Sequence, residues 1–527
     1  METLLSCPSL ARRASVANTD ITMPKRKTKD DVTRLARSRH STTDFNFGNH
    51  LVVLGALLSV TLIAAVARAE SDRPHVIVIL CDDLGYGDLG CYGHPHIQTP
   101  HLDNLASGGI QFTSWYSAAP VCSPARVGLL TGRSPNRAGV YDWIPPASQK
   151  SSMQREKVHL RQSEITIPSL LQSAGYATCL SGKWHCNAHF NSNQQPQPGD
   201  FGFDHWFATQ NNAAPSHANP HNFVRNGVEV GPLQGYSCQL VVDETLGWIE
   251  RHVQAHPHQP FYAHVCFHEP HEPVASPEGL VQQYMPVAEN RKQAEYYANV
   301  ANLDDATGRL LNKLDAWDLT KNTLVIFTSD NGPETLGRYG GCRRSYGTPG
   351  PLRGMKLWTT DGGVRVPGIM RWPARIQAGQ VSDATISSLD LLPTLAHLAG
   401  AQVPADLALD GTNFLPALDG GPLPREIPLC WAYYNALNEH RVALRDGDWK
   451  LLARLDGGKL PKIQNIFAGN VDAVWAAELT DFDLYNVAED IGETRNLATE
   501  RPAVQAEMRA KLEEYYEQLK ATSHVWR

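Results

Sequence analysis

Several short strings in this chain carry residue types that chemistry needs. Cys122-Ser123-Pro124-Ala125-Arg126 places one thiol near a fixed cation, just ahead of the apolar run Val127-Gly128-Leu129-Leu130. A positive neighbour favours thiolate, so Cys122 is a candidate nucleophile; an isolated cysteine is as readily a small buried hydrophobe, and five residues leave both readings open. Asp82-Asp83 and Ser329-Asp330-Asn331-Gly332 offer carboxylate and amide oxygens. Adjacent carboxylates repel and a bound cation relieves them; an oxygen-only donor set suits Ca²⁺ or Mg²⁺ better than zinc. Asp82-Asp83 alone reads as a solvated acidic turn, and the second acidic site is what points to a metal. Lys183 and His185 stand in Gly182-Lys183-Trp184-His185. His268 and His271 stand in Phe267-His268-Glu269-Pro270-His271-Glu272-Pro273, and Lys356 and Arg365 flank Asp361-Gly362-Gly363. These add cations and groups that exchange protons near neutral pH, although each alone reads as a turn, a structural histidine or a surface lysine.

The elements that would position them follow from hydrophobic pattern. Residues 76–80 form a continuous apolar, β-branched run, which reads as a strand buried on both faces. Asp82-Asp83 then falls at its carboxyl end, the edge where open α/β sheets bind ligands. Gly85, Gly87 and Gly90 break the chain, and Thr99-Pro100 opens a short helix that Gly108-Gly109 ends. A helix is expected over 166–174 and a strand over 176–180, leading into the Lys183 string. Residues 187–225 read as a loop rich in Asn, Gln, His and Pro. Residues 239–253 and 291–317 have helical spacing, while 261–267 and 323–328 read as strands, the second preceding Asp330. Strands alternating with helices imply an α/β domain with a mostly parallel sheet. After about residue 425 the pattern changes to a hairpin over 441–452, turning at Asp446-Gly447-Asp448, and a last helix over 503–519. The expected organisation is a targeting segment over 1–69, a catalytic domain over 72–425 and a small α+β subdomain over 426–527.

Cys122-Ser123-Pro124-Ala125-Arg126, followed by Leu129-Leu130-Thr131-Gly132-Arg133, closely resembles the signature of the formylglycine-dependent sulfatases. The resemblance extends over most of the chain after residue 72 and looks closest to the arylsulfatase and N-acetylgalactosamine-6-sulfatase branch. It implies an alkaline-phosphatase-like fold: a large mixed, mostly parallel sheet flanked by helices, with a smaller C-terminal subdomain. It implies that a formylglycine-generating maturation enzyme reads Pro124 and Arg126 and oxidises Cys122 to formylglycine; Ala125 stands where many members have serine. Asp82, Asp83, Asp330, Asn331 and residue 122 would hold the metal, usually calcium. Lys183 and His185 would line the sulfate pocket, although Cys186-Asn187 replaces the usual Leu-Gly. The family pattern Pro-His-x-Pro selects His271 and leaves His268 a supporting or structural residue. Lys356 would contact the sulfate, and Arg365 would be structural.

The chemistry so implied is attack on sulfur by one hydroxyl of the formylglycine hydrate, its proton oriented by Asp330. Arg126, Lys183, Lys356 and the metal would stabilise the charge on the equatorial oxygens; removing one such contact typically costs about 3 to 4 kcal/mol. His271, with Lys356 as the alternative, would protonate the departing alkoxide, leaving a sulfated enzyme. His185 would then take the proton of the second hydroxyl and expel sulfate. The amides, imidazoles and rings of residues 187–222 suit a sulfated carbohydrate better than a small aryl sulfate, and Arg338, Arg343 and Arg344 offer charge for further anionic groups. Two other readings are a phosphomonoester or phosphonate hydrolase and a non-catalytic binder of sulfated glycans.

The 527 residues are 42% hydrophobic and 19% charged, which fits a soluble globular enzyme. A net charge of −7 points away from nucleic acid, so an anionic substrate must be held by local cations. A basic start, an apolar run over 51–66 and Ala67-Arg68-Ala69 fit a signal peptide cut after Ala69, with Met23 an alternative start. The run is short for a signal anchor, so the expectation is an exported chain, periplasmic or secreted, without a stable membrane span after cleavage. Nine cysteines follow the cut, Cys122 among them, and their pairing cannot be read from spacing.

Overall fold

The apolar run that precedes Asp82-Asp83 folds as strand β1, His75–Asp82, in a computed structural model that describes residues 73–149, 154–421, 423 and 425–527. The targeting segment expected over 1–69 lies outside these residues. Among the described residues no helix is long and apolar enough to cross a membrane.

β1 lies in an eleven-stranded sheet. The other strands are β2 (Ile110–Tyr116), β3 (Ala177–Lys183), β4 (His205–Thr209), β5 (Val224–Arg225), β6 (Val228–Glu229), β7 (Phe261–Pro270), β8 (Thr323–Ser329), β9 (Arg365–Arg371), β10 (Gln380–Ser382) and β11 (Ile386–Ser387). Their order across the sheet is β10-β2-β9-β8-β1-β7-β3-β4-β5-β6, with β11 also on β2. The central strands β8, β1, β7, β3 and β4 are parallel, and β9 runs antiparallel between β8 and β2.

Successive side chains of a strand point to opposite faces, and both faces of this sheet are covered. Val76, Val78 and Leu80 of β1 enter one apolar cluster, with Val127 and Leu130 of helix α1 (Cys122–Thr131) and Leu391 and Leu395 of helix α2 (Leu391–Ala399). Ile77, Ile79 and Cys81 enter the other, against the helices Ser237–Ala255 and Arg291–Ala316. Burial on both sides is why the central strands read as continuous hydrophobic runs rather than alternating ones.

Local chemistry sets the helix ends. Thr166 caps Ile167–Ser173 in a reciprocal capping box with Ser169. At Pro100–Ser107 the expected threonine cap is spent elsewhere. The Thr99 hydroxyl accepts from the Gly90 amide and donates to Asp103, while the Asp304 carboxylate takes the His101 and Leu102 amides. The loop expected over 187–225 contains β4, a five-residue strand paired in parallel with β3. Its polar flanks hide it, and its register comes from β3 rather than from local pattern.

The later strands β12 (Leu429–Ala432), β13 (Val442–Asp446), β14 (Trp449–Leu455) and β15 (Leu479–Asn486) make a separate four-stranded antiparallel sheet in that order. Asp446 pairs with Trp449, so the β13–β14 turn is Gly447-Asp448, with Gly447 at φ 55°. The last helix, Pro502–Thr522, lays Leu512, Tyr516 and Leu519 into the apolar cluster formed with this sheet.

Candidate active site

Parallel neighbours bring their carboxyl ends to one edge of the sheet. Asp82 ends β1, Lys183 ends β3, His271 follows β7, and Asp330-Asn331 follows β8. The adjacency β8-β1-β7-β3 therefore gathers residues from four distant stretches without long loops. Two of these residues need unusual backbone. In an extended chain Asp82 and Asp83 would face opposite ways; a left-handed turn at Asp83 (φ 63°) lets both carboxylates reach Cys122. His185 is left-handed as well (φ 52°).

Cys122 is the first residue of α1 and faces that edge at the helix N-terminus. Pro124 falls in the first turn, where an amide has no intrahelical acceptor, so proline costs the helix nothing there. Arg126, four residues on, lies under Cys122 on the same helix face. Gly132 closes α1 in the left-handed conformation, its amide on the Gly128 carbonyl at 2.9 Å.

The side chains then interlock. Cys122 Sγ stands 3.4 Å from Asp82 Oδ1 and 4.0 Å from Asp83 Oδ1. Arg126 donates from Nε to Asp330 Oδ2 at 2.9 Å and from Nη1 to the Lys183 carbonyl at 3.0 Å. Its Nη2 lies 3.7 Å from Asp82. Lys183 Nζ bonds Asp82, and Lys356 Nζ bonds Asp83 at 2.7 Å. Asn331 donates to Asp83 Oδ1 at 2.7 Å, and the Asp83 amide donates to Asp330 Oδ1 at 3.2 Å. His271 holds Nε2 3.6 Å from Asp83, with Nδ1 on the Glu272 carbonyl at 2.5 Å. His185 Nε2 is bonded to the Ile144 carbonyl at 3.0 Å, leaving its Nδ1 buried and without a partner.

Burial dominates the electrostatics, and the cations decide how it ends. Burial would raise Asp82, but Lys183, His271, Arg126 and Lys356 hold it well below the usual carboxylate range. Burial raises Asp83 to about 6 against the pull of Lys356, with Asp82 and Glu334 adding to the rise. Burial raises Asp330 to about 7 against Arg126, helped by Asp82 and Asp83. Burial lowers His271 to about 3, Asp82 opposing and Lys356 and Lys183 reinforcing. Burial would lower Lys356, but Asp83, Cys122, Glu334 and Asp82 together hold it well above its ordinary value.

The clustered side chains could hold a metal ion. Ligand atoms of Asp82, Asp83, Cys122 and His271 lie within 4.8 Å of one another. Two of the clustered carboxylates are raised, which a further positive charge would reverse. Asn331 Oδ1 is buried with no partner, a carbonyl oxygen of the kind Ca²⁺ and Mg²⁺ take.

Cys122, His185, His271 and Lys356 line one cavity of about 690 Å³. His268 is elsewhere: its Nε2 meets Thr209 Oγ1 at 2.8 Å and its ring packs edge-on to Phe223. Arg365 pairs with Asp361 and donates to the Thr113 carbonyl, away from the cavity. Of the three arginines expected to meet further anions, Arg338 reaches the cavity, while Arg344 pairs with Glu295 and Glu272 and Arg343 bonds the Gly340 carbonyl. Of residues 187–222 only Asn211 and Asn212 are among the cavity's described lining. The pattern reading did not find Glu334, Tyr339, Trp143, Asn435 or Gln464, which also line it. Glu334 alone carried a signal, two residues after Gly332. All nine described cysteines are unbridged thiols.

Cations paired with buried carboxylates around one thiol make a site that can receive an anionic ester. A family model described as Sulfatase matches residues 74–401, and one described as N-sulphoglucosamine sulphohydrolase, C-terminal, matches residues 355–456. Human arylsulfatase A is 32% identical over 483 residues, covering 84% of this chain and 87% of that protein. Human N-acetylgalactosamine-6-sulfatase is 34% identical over 376 residues, 68% of each. The crystal structure of Ps i-CgsB, 27% identical, matches with a TM-score of 0.69 over 86% of this chain and 94% of that one. The chain belongs to the formylglycine-dependent sulfatases, which are sulfuric ester hydrolases, and has their alkaline-phosphatase-like fold.

Proposed function

We propose that this sulfatase removes sulfate from a carbohydrate ester, with residue 122 acting as formylglycine and Asp82, Asp83, Asp330, Asn331 and residue 122 holding Ca²⁺ or Mg²⁺. The observation that carries the reading is the Cys122 thiol, 3.4 Å from Asp82, inside a ring of Arg126, Lys183 and Lys356. The Cys122 sulfur stands in for an oxygen on the β-carbon of the matured residue. Its hydrate supplies two hydroxyls, one to attack sulfur and one whose later ionisation releases sulfate. The metal, when bound, supplies positive charge that acidifies a hydroxyl and binds sulfate oxygens.

The chain's own residues do the rest. Lys183 and Lys356 approach residue 122 from opposite carboxylates and offer ammonium hydrogens to the sulfuryl oxygens. Arg126 ties Asp330, Asp82 and the end of β3 together, which fixes Lys183 relative to the nucleophile. Asp330, held by Arg126 Nε, orients the proton of the attacking hydroxyl. His271 and Lys356 compete for the role of acid to the leaving oxygen. Lys356 is held by Asp83 and serves as charge, while His271, on the cavity wall, serves as the donor. His185, with Nε2 occupied by a carbonyl, presents Nδ1 as the base that receives the second hydroxyl's proton.

The carbohydrate assignment draws support from the relatives: one is named N-acetylgalactosamine-6-sulfatase, and Ps i-CgsB has been solved in complex with k-i-k-neocarrahexaose. Two measurements test the reading. Peptide mass across residue 122, after expression with a formylglycine-generating enzyme, should be about 18 Da below the cysteine form. Unmodified thiol in protein that turns over ester would sink the proposal. Removing divalent ions with a chelator should abolish turnover and lower Tm, and Ca²⁺ should restore both, because ligand bound only to the native state stabilises it. In Asn331→Ala the Tm gain on adding Ca²⁺ should shrink.

We also infer that the matured protein is exported after loss of residues 1–69 and that residues 426–527 form a subdomain on the catalytic body.

A further inference from the structure

The cavity has a second wall that the sulfate chemistry does not use. Glu334, Arg338 and Tyr339 line it from the loop that follows Asp330-Asn331-Gly332. Arg338 donates from Nε and Nη2 to the two Glu334 oxygens, at 2.7 and 2.6 Å. Its guanidinium lies 5.1 Å from the centre of the Tyr339 ring. Glu334 is buried, whereas the Arg338 side chain is 31% exposed. Tyr339 is 39% exposed, as is Leu437, and Leu336 is 45% exposed. Leu437 bonds through its amide to Leu357, itself in the cavity wall. Large apolar groups left open beside a polar cleft call for a ligand that is apolar on one face and hydrogen-bonding at its edge.

A sugar ring has that character, and the charge state of the pair says what kind of sugar. Both inner nitrogens of Arg338 are spent on one carboxylate, so its charge is already matched. A second sulfate here would sit beside Glu334 and be repelled. Neutral hydroxyls are not: they donate to the carboxylate and accept from the guanidinium, and hydrogen bonds to charged groups are the strong ones. We propose that Arg338 and Tyr339 determine substrate specificity, Arg338 with Glu334 binding free hydroxyls beside the ester and Tyr339 covering a face of the same ring. This rests on the sulfate-ester reading and adds that the ring next to the scissile ester is a neutral, hydroxyl-bearing sugar. A bare aryl sulfate cannot use these contacts.

The test compares kcat and KM on 4-nitrophenyl sulfate with those on the 4-O- and 6-O-monosulfates and the disulfates of galactose and N-acetylgalactosamine. In Arg338→Gln the ratio of kcat/KM for the best monosulfate to that for 4-nitrophenyl sulfate should fall about tenfold or more, chiefly through KM. A disturbance passed through Glu334 to Lys356, 3.8 Å away, would show in kcat, whereas lost hydroxyl contacts show in KM. Tyr339→Ala should lower the same ratio and Tyr339→Phe should restore it. An unchanged ratio overturns the inference, and so does a preference for disulfates that Arg338→Gln abolishes, since that makes Arg338 an anion receptor. A wild-type enzyme that cleaves only the aryl ester also overturns it but leaves a sulfatase. One that cleaves neither ester class removes the sulfate-ester reading beneath it.

Discussion

Cys122→Ala should fold normally and lose sulfate-ester turnover by at least about 10⁴-fold, the scale seen when a covalent nucleophile is deleted. Alanine is the best helix former and suits the first residue of α1, and the substitution removes one buried sulfur, so the stability cost is about 1 kcal/mol. The pairs Lys183–Asp82 and Lys356–Asp83 do not run through the thiol and stay in place. The charged cradle should therefore still bind the ester, and KM, where measurable, should move far less than kcat. Cys122→Ser should behave like alanine wherever the maturation enzyme accepts only cysteine. Serine carries one hydroxyl, and once sulfated it has no second hydroxyl with which to expel sulfate. Steady-state turnover of 4-nitrophenyl sulfate beside a thermal melt decides the matter. An alanine variant retaining a tenth of wild-type kcat would place the nucleophile elsewhere, whatever the signature around Cys122 suggests.

The parts of this site that could be read from sequence are those fixed by short spacing. Cys122 and Arg126 are one helical turn apart, Asp82 ends the apolar strand β1, and Asp330 follows the strand β8. Such positions owe their place to backbone geometry, which a string of residues reveals. The adjacency that joins them was less visible. The alternation of strand and helix implied parallel strands, but not that β9 enters antiparallel or that β4 lies inside a polar loop. The rim of the cavity was out of reach. Asn435 and Gln464 arrive from segments around the second sheet, and Tyr339 from a glycine-rich loop with no periodicity to mark its direction. Alternation also misleads at β14, where a lysine would ordinarily mark the solvent face.

That lysine, Lys450, is fully buried, and Lys450→Met should destabilise the protein by about 3–5 kcal/mol, the cost of breaking a buried ion pair from one side. Its Nζ lies 2.6 Å from Asp361 Oδ1 and 3.1 Å from Glu493 Oε1. Asp361 also accepts from the Tyr116 hydroxyl at 2.8 Å, and its amide donates to Glu493 Oε2 at 2.7 Å. Methionine has similar bulk, so little volume is lost, but two buried carboxylates are left with less compensation. Burial already raises Glu493 to about 7 against the pull of Lys450, with Asp361 adding to the rise. A carboxyl raised above its unfolded value stabilises fully at low pH and loses that contribution as pH rises through the folded value. The deficit in Lys450→Met should therefore be larger at pH 8 than at pH 5. The effect should also reach the active edge. The Gly332 amide donates to the Gly363 carbonyl at 3.0 Å, the Gly362 amide to Arg353 at 2.7 Å, and the Lys356 amide to Pro333 at 2.9 Å. Loosening the Asp361 turn thus loosens the backing of both Asn331 and Lys356, and Ca²⁺ should raise the variant's Tm less than the wild type's. Lys511→Met is the control, since its partners Asp446 and Glu507 are at the surface and such pairs contribute about 0–1 kcal/mol. Pairing Lys450→Met with Glu493→Gln should recover part of the loss, because the carboxylate left without its lysine is removed with it. Urea unfolding across this set would refute the account if Lys450→Met fell within 1 kcal/mol of wild type at pH 8.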